Sequence, residues 1–431
     1  MRLSLRKNFY WTFAGNAIYA CCQWGLLIIL AKLGSPEMVG KFALGLAITA
    51  PVFMFTNLQL RGIQATDAKL EFQFFEYFVL RIASVFLAIF TLIIIISMAG
   101  YRGQTLIVII LIGVGKASES ISDIIFGLIQ LNEKMIYISR SMITKGVLSI
   151  VSLGGTLYVS HDLIISVFVL ILFWVVVLIG HDVLAGSRLL SLSFKGFFAQ
   201  ALHQIKKLIK GNEFPTKLLL MALPMGIVMM LVSLNVNLPR YFIQYFLGEG
   251  ALGIFAALAY LLTAGITIVA ALGQSASPRL AKLYSVQNYK KFRNLINKLV
   301  IVGCFLGLFG VVFSVFFGEK FLVVMYGESY ARHSDLFLMI MIAAGFSYIS
   351  AFLGFVITAA RKFKVQLPLF LVVTTITCVV SFCFVDLYGL RGAGYSLIVS
   401  SVVQLIGSSI VLWRILADLK NLCVVKGVGD V

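Results

Sequence analysis

GALGIFAALAYLLTAGITIVAALGQSASP, residues Gly250 to Pro278, contains no charged residue and exceeds the roughly 20 residues that a helix needs to cross a bilayer core. Working outward from it, apolar stretches bounded by turn or charged residues fall at 218–246, 252–275, 297–317, 335–358, 367–385 and 394–413. The first half of the chain holds six more, at 8–31, 42–60, 78–99, 105–130, 142–160 and 163–185. This spacing predicts an all-α integral membrane protein with about 12 transmembrane helices. The composition points the same way. Of 431 residues, 61% are hydrophobic and only 12% are charged, against about 25% charged in an ordinary soluble domain. That apolar load excludes a disordered chain, and no large soluble domain is left over.

The net charge of +18 would suggest nucleic-acid binding in a soluble protein. In a membrane chain it reports sidedness. With the N-terminus inside, 27 of the 35 Lys and Arg residues fall in inner segments, among them Arg61, Arg81 and Lys145. The positive-inside rule then places both termini in the cytoplasm and makes nucleic acid unnecessary as a partner. The six cysteines include Cys21, Cys22, Cys304, Cys378 and Cys383 in apolar runs, with Cys423 near the C-terminus, and none is in C-x-x-C spacing. Packing in the core is expected for them, with no metal site and no cofactor. The basic N-terminus before an apolar run is expected to be an uncleaved first span, since polar residues interrupt that run and eleven spans follow.

An internal repeat divides the chain. Leu33-Gly34 through Gly40-Lys41-Phe42-Ala43 is echoed by Leu247-Gly248 through Gly253-Ile254-Phe255-Ala256, each between the first and second spans of its half. An even number of spans per half gives both copies the same orientation. The expected architecture is two six-helix bundles related by a pseudo-two-fold along the membrane normal, with substrate carried between them. The N-terminal bundle is expected over 1–198, a basic cytoplasmic linker over 199–217, and the C-terminal bundle with a short cytoplasmic tail over 218–431. In the linker, Leu202, Ile205, Leu208 and Ile209 alternate with Lys206, Lys207 and Lys210, as in a helix lying on an anionic inner leaflet. A solvated surface helix is the plainer alternative.

Charges inside a span cost about 2.5–3.5 kcal/mol each, so they tend to face a cavity or another polar group. In the fourth span Lys116, Glu119, Asp123, Gly127 and Gln130 share an arc of about 80° at helical periodicity. Lys116 and Glu119 can neutralise each other at i, i+3. Glu119 and Asp123 repel at i, i+4 unless a proton or cation intervenes, which makes them candidates for coupling to H+ or Na+. An ion-pair network that locks helices together would account for the same residues. The first span carries Thr12, Asn16, Tyr19 and Gln23 on one face, and the seventh carries Ser233, Asn237, Arg240 and Gln244. Interhelical hydrogen bonding is the alternative to substrate contact for the amides, and snorkelling to the outer interface is the alternative for Arg240. Pro51 and Pro224, inside the second and seventh spans, are hinge candidates.

Gly15-Asn16, Gln23-Trp24-Gly25, Leu30 to Gly40, Phe42-Ala43-Leu44 and Ala47 to Pro51, with Ser120 to Asp123 and Gly127 to Gln130, carry a resemblance. They resemble bacterial polysaccharide (O-antigen) flippases of the multidrug/oligosaccharidyl-lipid/polysaccharide exporter superfamily. The likeness covers about the first third of the chain. It implies two six-helix bundles and transport of a lipid-linked oligosaccharide, usually on undecaprenyl diphosphate, from the inner to the outer leaflet of the bacterial inner membrane. That substrate, membrane lipids and other polysaccharide assembly proteins are the expected partners. Lys116 and Arg240 would meet the diphosphate, while Asn16, Gln23, Ser233, Asn237 and Gln244 would meet sugar hydroxyls.

Two other functions compete. A multidrug antiporter of the same superfamily wants unpaired carboxylates in its first or seventh span, and neither span has one. A membrane-embedded glycan polymerase or glycosyltransferase wants an outer loop large enough for acid–base groups. The longest outer loop, about 318–334, shows no such constellation, so no catalytic residue is expected.

Overall fold

The computed structural model describes residues 5–67, 70–209, 215–360, 362 and 365–425, and among these every regular element is helical. Among the described residues ten helices are long and apolar enough to cross a membrane. In the first half they are α1 (Leu5–Leu33), α2 (Pro36–Thr56, continued by the short α3, Leu60–Thr66), α4 (Phe74–Ala99), α5 (Gly103–Leu131), α6 (Met135–Ser160) and α7 (Leu163–Val177). The last of these runs on through a π-helical turn, Leu178–Val183, into α8 (Leu184–Leu189). In the second half they are α10 (Thr216–Ser285), α11 (Tyr289–Tyr326, followed by the short α12, Glu328–Ala331), α13 (Ser334–Ala359) and α14 (Gln366–Val425).

Two of these are each a pair of spans joined end to end. Helix α10 breaks at Gly248, with φ 83° and ψ −175°, and α14 breaks at Gly389, with φ 60° and ψ −136°. A side chain at either position would sit in backbone space open essentially to glycine alone. The two breaks bring the ten helices to the twelve spans expected. Gly248 is also the residue that the repeat aligns with Gly34, so both copies turn at the glycine that follows their first span.

Local chemistry sets the other ends. Ser35 caps α2 by accepting the Met38 N–H at 3.3 Å, with Pro36 at the first helical position. This Ser-Pro start carries the second helix several residues further back than its apolar run. Asp162 caps α7, its Oδ1 accepting the Ile164 and Ile165 N–H groups at 2.6 and 3.2 Å. Pro51 lies inside the continuous α2, and α10 keeps helical dihedrals through Pro224 and breaks only at Gly248.

The chain forms two compact units, Met1–Ser233 and Leu234–Val431. The division falls inside the seventh span, and the expected linker ends before it. Within unit 1, α2, α3, α4 and α7 all pack on α5, while α1 lies along α6. Small residues allow that close approach: a β-carbon on Gly15 would stand 2.8 Å from the Ser139 Cα, and one on Gly146 would stand 3.1 Å from the Cys22 Sγ. A core of unit 1 gathers Phe74, Phe75, Phe78, Ile124, Phe197, Leu218 and Ala222. In unit 2, α11 and α13 touch glycine to glycine at Gly307 and Gly345, above a core of Phe292, Ile296, Phe352, Ile415 and Leu419.

Three expectations are corrected by position. The linker helix, α9 (Phe194–Ile209), starts earlier than the expected linker, and its Phe197 and Ala201 are buried in the unit 1 core. Lys195, Leu202 and Lys206 remain exposed, while Leu208, Ile209 and Lys210 lie outside the described side chains. Of the cysteines, only Cys22 is buried; Cys21, Cys304 and Cys383 are exposed on faces of helices, Cys378 is half-buried, and the Cys423 side chain lies outside the described residues. Arg81 and Lys145, counted above as inner-loop charges, sit within α4 and α6 and are buried. Both lie within the first turns of the apolar stretches 78–99 and 142–160, where a basic residue is as compatible with a buried ion pair as with the inner interface. Lys69, Arg361, Lys364 and Lys426, also in that count, lie outside the described residues.

Candidate functional site in the first unit

The polar arc of α5 opens onto a cavity of about 250 Å³, lined by Lys116, Glu119, Ser120, Ser122, Asp123 and Phe126. Tyr19 of α1, Ala50, Phe53 and Met54 of α2, Asn57, Arg61 of α3, and Met142 and Lys145 of α6 complete its wall. Its position follows from helix periodicity: α5 turns this polar arc toward its neighbours while Ile107, Ile110 and Val114 on the opposite face stay exposed, and α1, α3 and α6 each supply a polar residue facing the arc.

Each carboxylate here is held by basic or hydroxyl partners. Lys116 Nζ donates to Glu119 Oε2 at 2.7 Å, and the Tyr19 hydroxyl donates to Glu119 Oε1 at 2.7 Å. Asp123 lies between two guanidinium groups. Arg61 Nη1 donates to its Oδ1 at 3.3 Å, and Arg81 Nη2 donates to its Oδ2 at 3.4 Å. Arg61 also donates from Nε to Gln130 Oε1 at 3.2 Å, and Arg81 donates to Asn57 Oδ1. Gly127 lets Gln64 pass, since a β-carbon there would stand 2.2 Å from the Gln64 Oε1. Glu119, Asp123, Gly127 and Gln130 of the expected arc therefore meet residues of α1, α3 and α4, while Lys116 is paired with Glu119 within α5.

Behind this wall lies a third carboxylate, and the sequence reading overlooked it. Asp182 is wholly buried in the π-helical turn, and Lys145 Nζ donates to its Oδ2 at 2.8 Å and to Ser122 Oγ at 2.6 Å. His181 Nδ1 lies 3.1 Å from the other oxygen. Phe126 stands beneath two of the cations, with its ring 5.5 Å from the Arg61 Cζ and 5.4 Å from the Lys145 Nζ. Arg81, with a fully buried side chain, is the deepest cation of the group. Four basic side chains thus face three carboxylates, so the network carries a surplus positive charge before His181 is counted. A signal was available: His181-Asp182 interrupts the sixth apolar run, and Ser141, Lys145, Ser149 and Ser152 form a polar stripe on the fifth span.

The remaining candidates lie elsewhere. Asn16 is exposed and Gln23 half-buried on α1. Ser233 and Asn237 are buried on α10, and Arg240 Nη1 turns back to donate to Asn237 Oδ1 at 3.2 Å, with its Nε buried. Gln244 follows one turn on, its Oε1 also buried. In unit 2, Thr377, which the sequence reading did not single out, links Asn235 Oδ1 at 2.5 Å to Ser400 Oγ at 2.9 Å.

This is the helical fold of solved membrane transporters. It is similar to an inward-facing multidrug resistance MATE family transporter of the MOP superfamily, with a TM-score of 0.69 and 14% identity over 95% of this chain and 99% of that one. The lipid II flippase MurJ in an inward closed conformation gives a TM-score of 0.66 and 12% identity, over 95% of this chain and 89% of that one. The chain belongs to the polysaccharide biosynthesis protein family, whose profile matches residues 5–284. A relative along nearly its whole length is the capsular polysaccharide biosynthesis protein CapF of Staphylococcus aureus, 28% identical over 403 residues, which are 93% of this chain and 97% of the relative. It is a multi-pass membrane protein of polysaccharide biosynthesis.

Proposed function

We propose that the protein is a flippase that moves a lipid-linked oligosaccharide on an undecaprenyl diphosphate carrier from the cytoplasmic to the outer leaflet of the bacterial inner membrane. The product would feed a capsule or another surface polysaccharide, and both termini would be cytoplasmic. The observation that carries this reading is the surplus of cations at the unit 1 cavity, where Lys116, Arg61 and Lys145 line the wall. An anionic headgroup taken bare through hydrocarbon would face a prohibitive desolvation cost, and basic and hydroxyl side chains offset that cost. Membership of a polysaccharide biosynthesis family supplies the chemical context.

On this reading Lys116 and, in unit 2, Arg240 contact the diphosphate, while Asn16, Gln23, Ser233, Asn237 and Gln244 contact sugar hydroxyls. Glu119 and Asp123 couple alternating access to a proton or sodium gradient, and Pro51 and Pro224 serve as hinges. An exporter of organic cations would favour an unpaired carboxylate in the cavity, whereas Glu119 and Asp123 each meet basic partners.

The test is a deletion strain in which surface polysaccharide and the carrier-linked oligosaccharide pool are compared before and after complementation. Loss of surface polymer with the pool stranded in the inner leaflet is expected, reversed by the wild-type gene. Intact polymer with new sensitivity to cationic drugs would overturn the reading in favour of drug export.

A further inference from the structure

Lys145 reaches the cavity wall, yet its charge is answered from behind. Asp182, fully buried, accepts from Lys145 Nζ at 2.8 Å, and the same carboxylate has His181 Nδ1 at 3.1 Å on its other oxygen. The residue that carries the imidazole is partly open, with 30% of its side chain exposed. Asp182 is thus one acidic group shared by the Lys145 ammonium and the His181 imidazole. The π-helical turn, Leu178–Val183, puts both residues there. Such a turn inserts a residue into the α-helical register, and π-turns occur frequently at functional sites.

The other charges around the trio are accounted for. Helix α7 carries none, and Arg188 of α8 and Arg140 of α6 are exposed. Helix α5 presents Glu119, which is taken by Lys116 and Tyr19, and Asp123, which is taken by Arg61 and Arg81. The remaining titratable neighbour in direct contact with Asp182 is His181. With the imidazole neutral, Asp182 cancels Lys145. With the imidazole protonated, one carboxylate serves two cations and the trio carries a net positive charge whose cavity end is the Lys145 ammonium.

We propose that His181 is a positioning residue that sets how much of the Lys145 charge is available to an anion in the unit 1 cavity, so that anion binding strengthens as pH falls through the histidine range. The inference rests on the cavity being an anion site. Apart from the proton on the imidazole, no group changes its covalent state.

The probe is citronellyl diphospho-N-acetylglucosamine, a diphosphate diester whose own charge is fixed between pH 5.5 and 8, titrated into the purified full chain in detergent. Wild type is expected to bind about tenfold more tightly at pH 5.5 than at pH 8, the effect of a single nearby charge. His181→Gln removes the pH dependence and leaves the weaker affinity, whereas His181→Arg binds at the tighter level throughout. Lys145→Gln binds weakly and without pH dependence. Size-exclusion profiles verify folding, and either His181 variant alone decides the matter.

A His181→Gln protein that keeps the tenfold pH effect, or a wild type without one, overturns the proposal while leaving the anion site standing. Absence of binding at every pH, or Lys145→Gln binding as wild type does, overturns the anion site together with the proposal.

Discussion

Replacing Asp182 by Asn removes one charge and little volume, and the structure says what that costs. Lys145 and Asp182 are 2.8 Å apart, with side-chain exposures of 6% and 0%. The ammonium left behind would keep the Ser122 hydroxyl and an amide oxygen but no counter-charge in direct contact. Breaking a buried pair by neutralising one partner costs about 3–5 kcal/mol, most of it the penalty of an uncompensated buried charge. For a unit of this size each kcal/mol shifts the melting temperature by about 2–4 °C, so Asp182→Asn is expected to melt roughly 6–20 °C below wild type. The double variant Lys145→Met/Asp182→Leu should regain most of that loss, because apolar residues of similar volume replace the whole pair. It should also lose transport, since the cation at the cavity wall is gone. Asp335→Asn supplies the contrast. Its partner Arg391 lies 2.5 Å away, but the two are 38% and 69% exposed, so the change should cost under about 1 kcal/mol. Melting is followed by intrinsic fluorescence in detergent. The reasoning is refuted by an Asp182→Asn protein that melts with wild type, or by a double variant less stable than the single one.

Four further outcomes follow from the same geometry. Lys116→Ala removes a charge that lines the cavity at 28% exposure, so it should express and fold yet fail to restore surface polysaccharide to the deletion strain; full complementation would exclude it from the path. Glu119→Gln with Asp123→Asn should abolish the dependence of transport on an imposed proton or sodium gradient, and unchanged, gradient-driven flipping in proteoliposomes would remove both from coupling. Gly248→Val places a β-branched side chain at φ 83° and should cost about 1–3 kcal/mol, read as a lower melting temperature, whereas the same change at the open Gly155 should not. Asp67 lies outside the spans. Burial pushes its carboxyl up, but the Glu71 and Phe72 N–H groups and the Tyr77 hydroxyl outweigh that and hold it below the usual carboxylate range. Its stabilisation is therefore complete above about pH 4 and fades as pH falls through the lowered value. Hydrogen-exchange protection of the Glu71 amide should show that acid step in wild type and lose it in Asp67→Asn.

The spans were legible because a bilayer imposes a length and an apolar content that no other constraint overrides: eleven of the twelve stretches read from Gly250–Pro278 outward lie in continuous helix, and the twelfth, 42–60, runs from α2 across a turn into α3. The positive-φ breaks at Gly248 and Gly389 were only half legible. The repeat marks Gly248, but nothing in a linear pattern distinguishes Gly389 from glycines that stay helical, such as Gly265. For the site, periodicity placed Lys116, Glu119 and Asp123 on one face, yet it could not supply their partners. Arg61, Arg81 and Lys145 approach that face from three other helices, and contact between helices is a property of packing that one helix's period does not encode. Asp182 was hidden differently: an α-helical wheel drawn through 178–183 assigns it the wrong angle, because the backbone there is a π-turn.

Charge pairing also bears on why so many ionisable groups are kept in a bilayer. Seven charged side chains cluster on α3 to α6 and the π-turn, in helices that span hydrocarbon. Unpaired, each would cost about 2.5–3.5 kcal/mol at insertion, so the pairs Lys116–Glu119 and Lys145–Asp182 and the Arg61–Asp123–Arg81 bridge are first a condition of membrane residence. Pairing alone, however, would be served as well by apolar side chains. What apolar side chains cannot supply is the odd cation left when three carboxylates answer four basic groups, beside a cavity of about 250 Å³. The network holds that surplus in rigid side chains at low solvation cost, and an entering anion meets positive charge already oriented. On that argument charge reversal should be worse than charge loss: Arg61→Glu should abolish complementation where Arg61→Gln only weakens it, and equal effects of the two variants at equal expression would mean that the network serves packing alone.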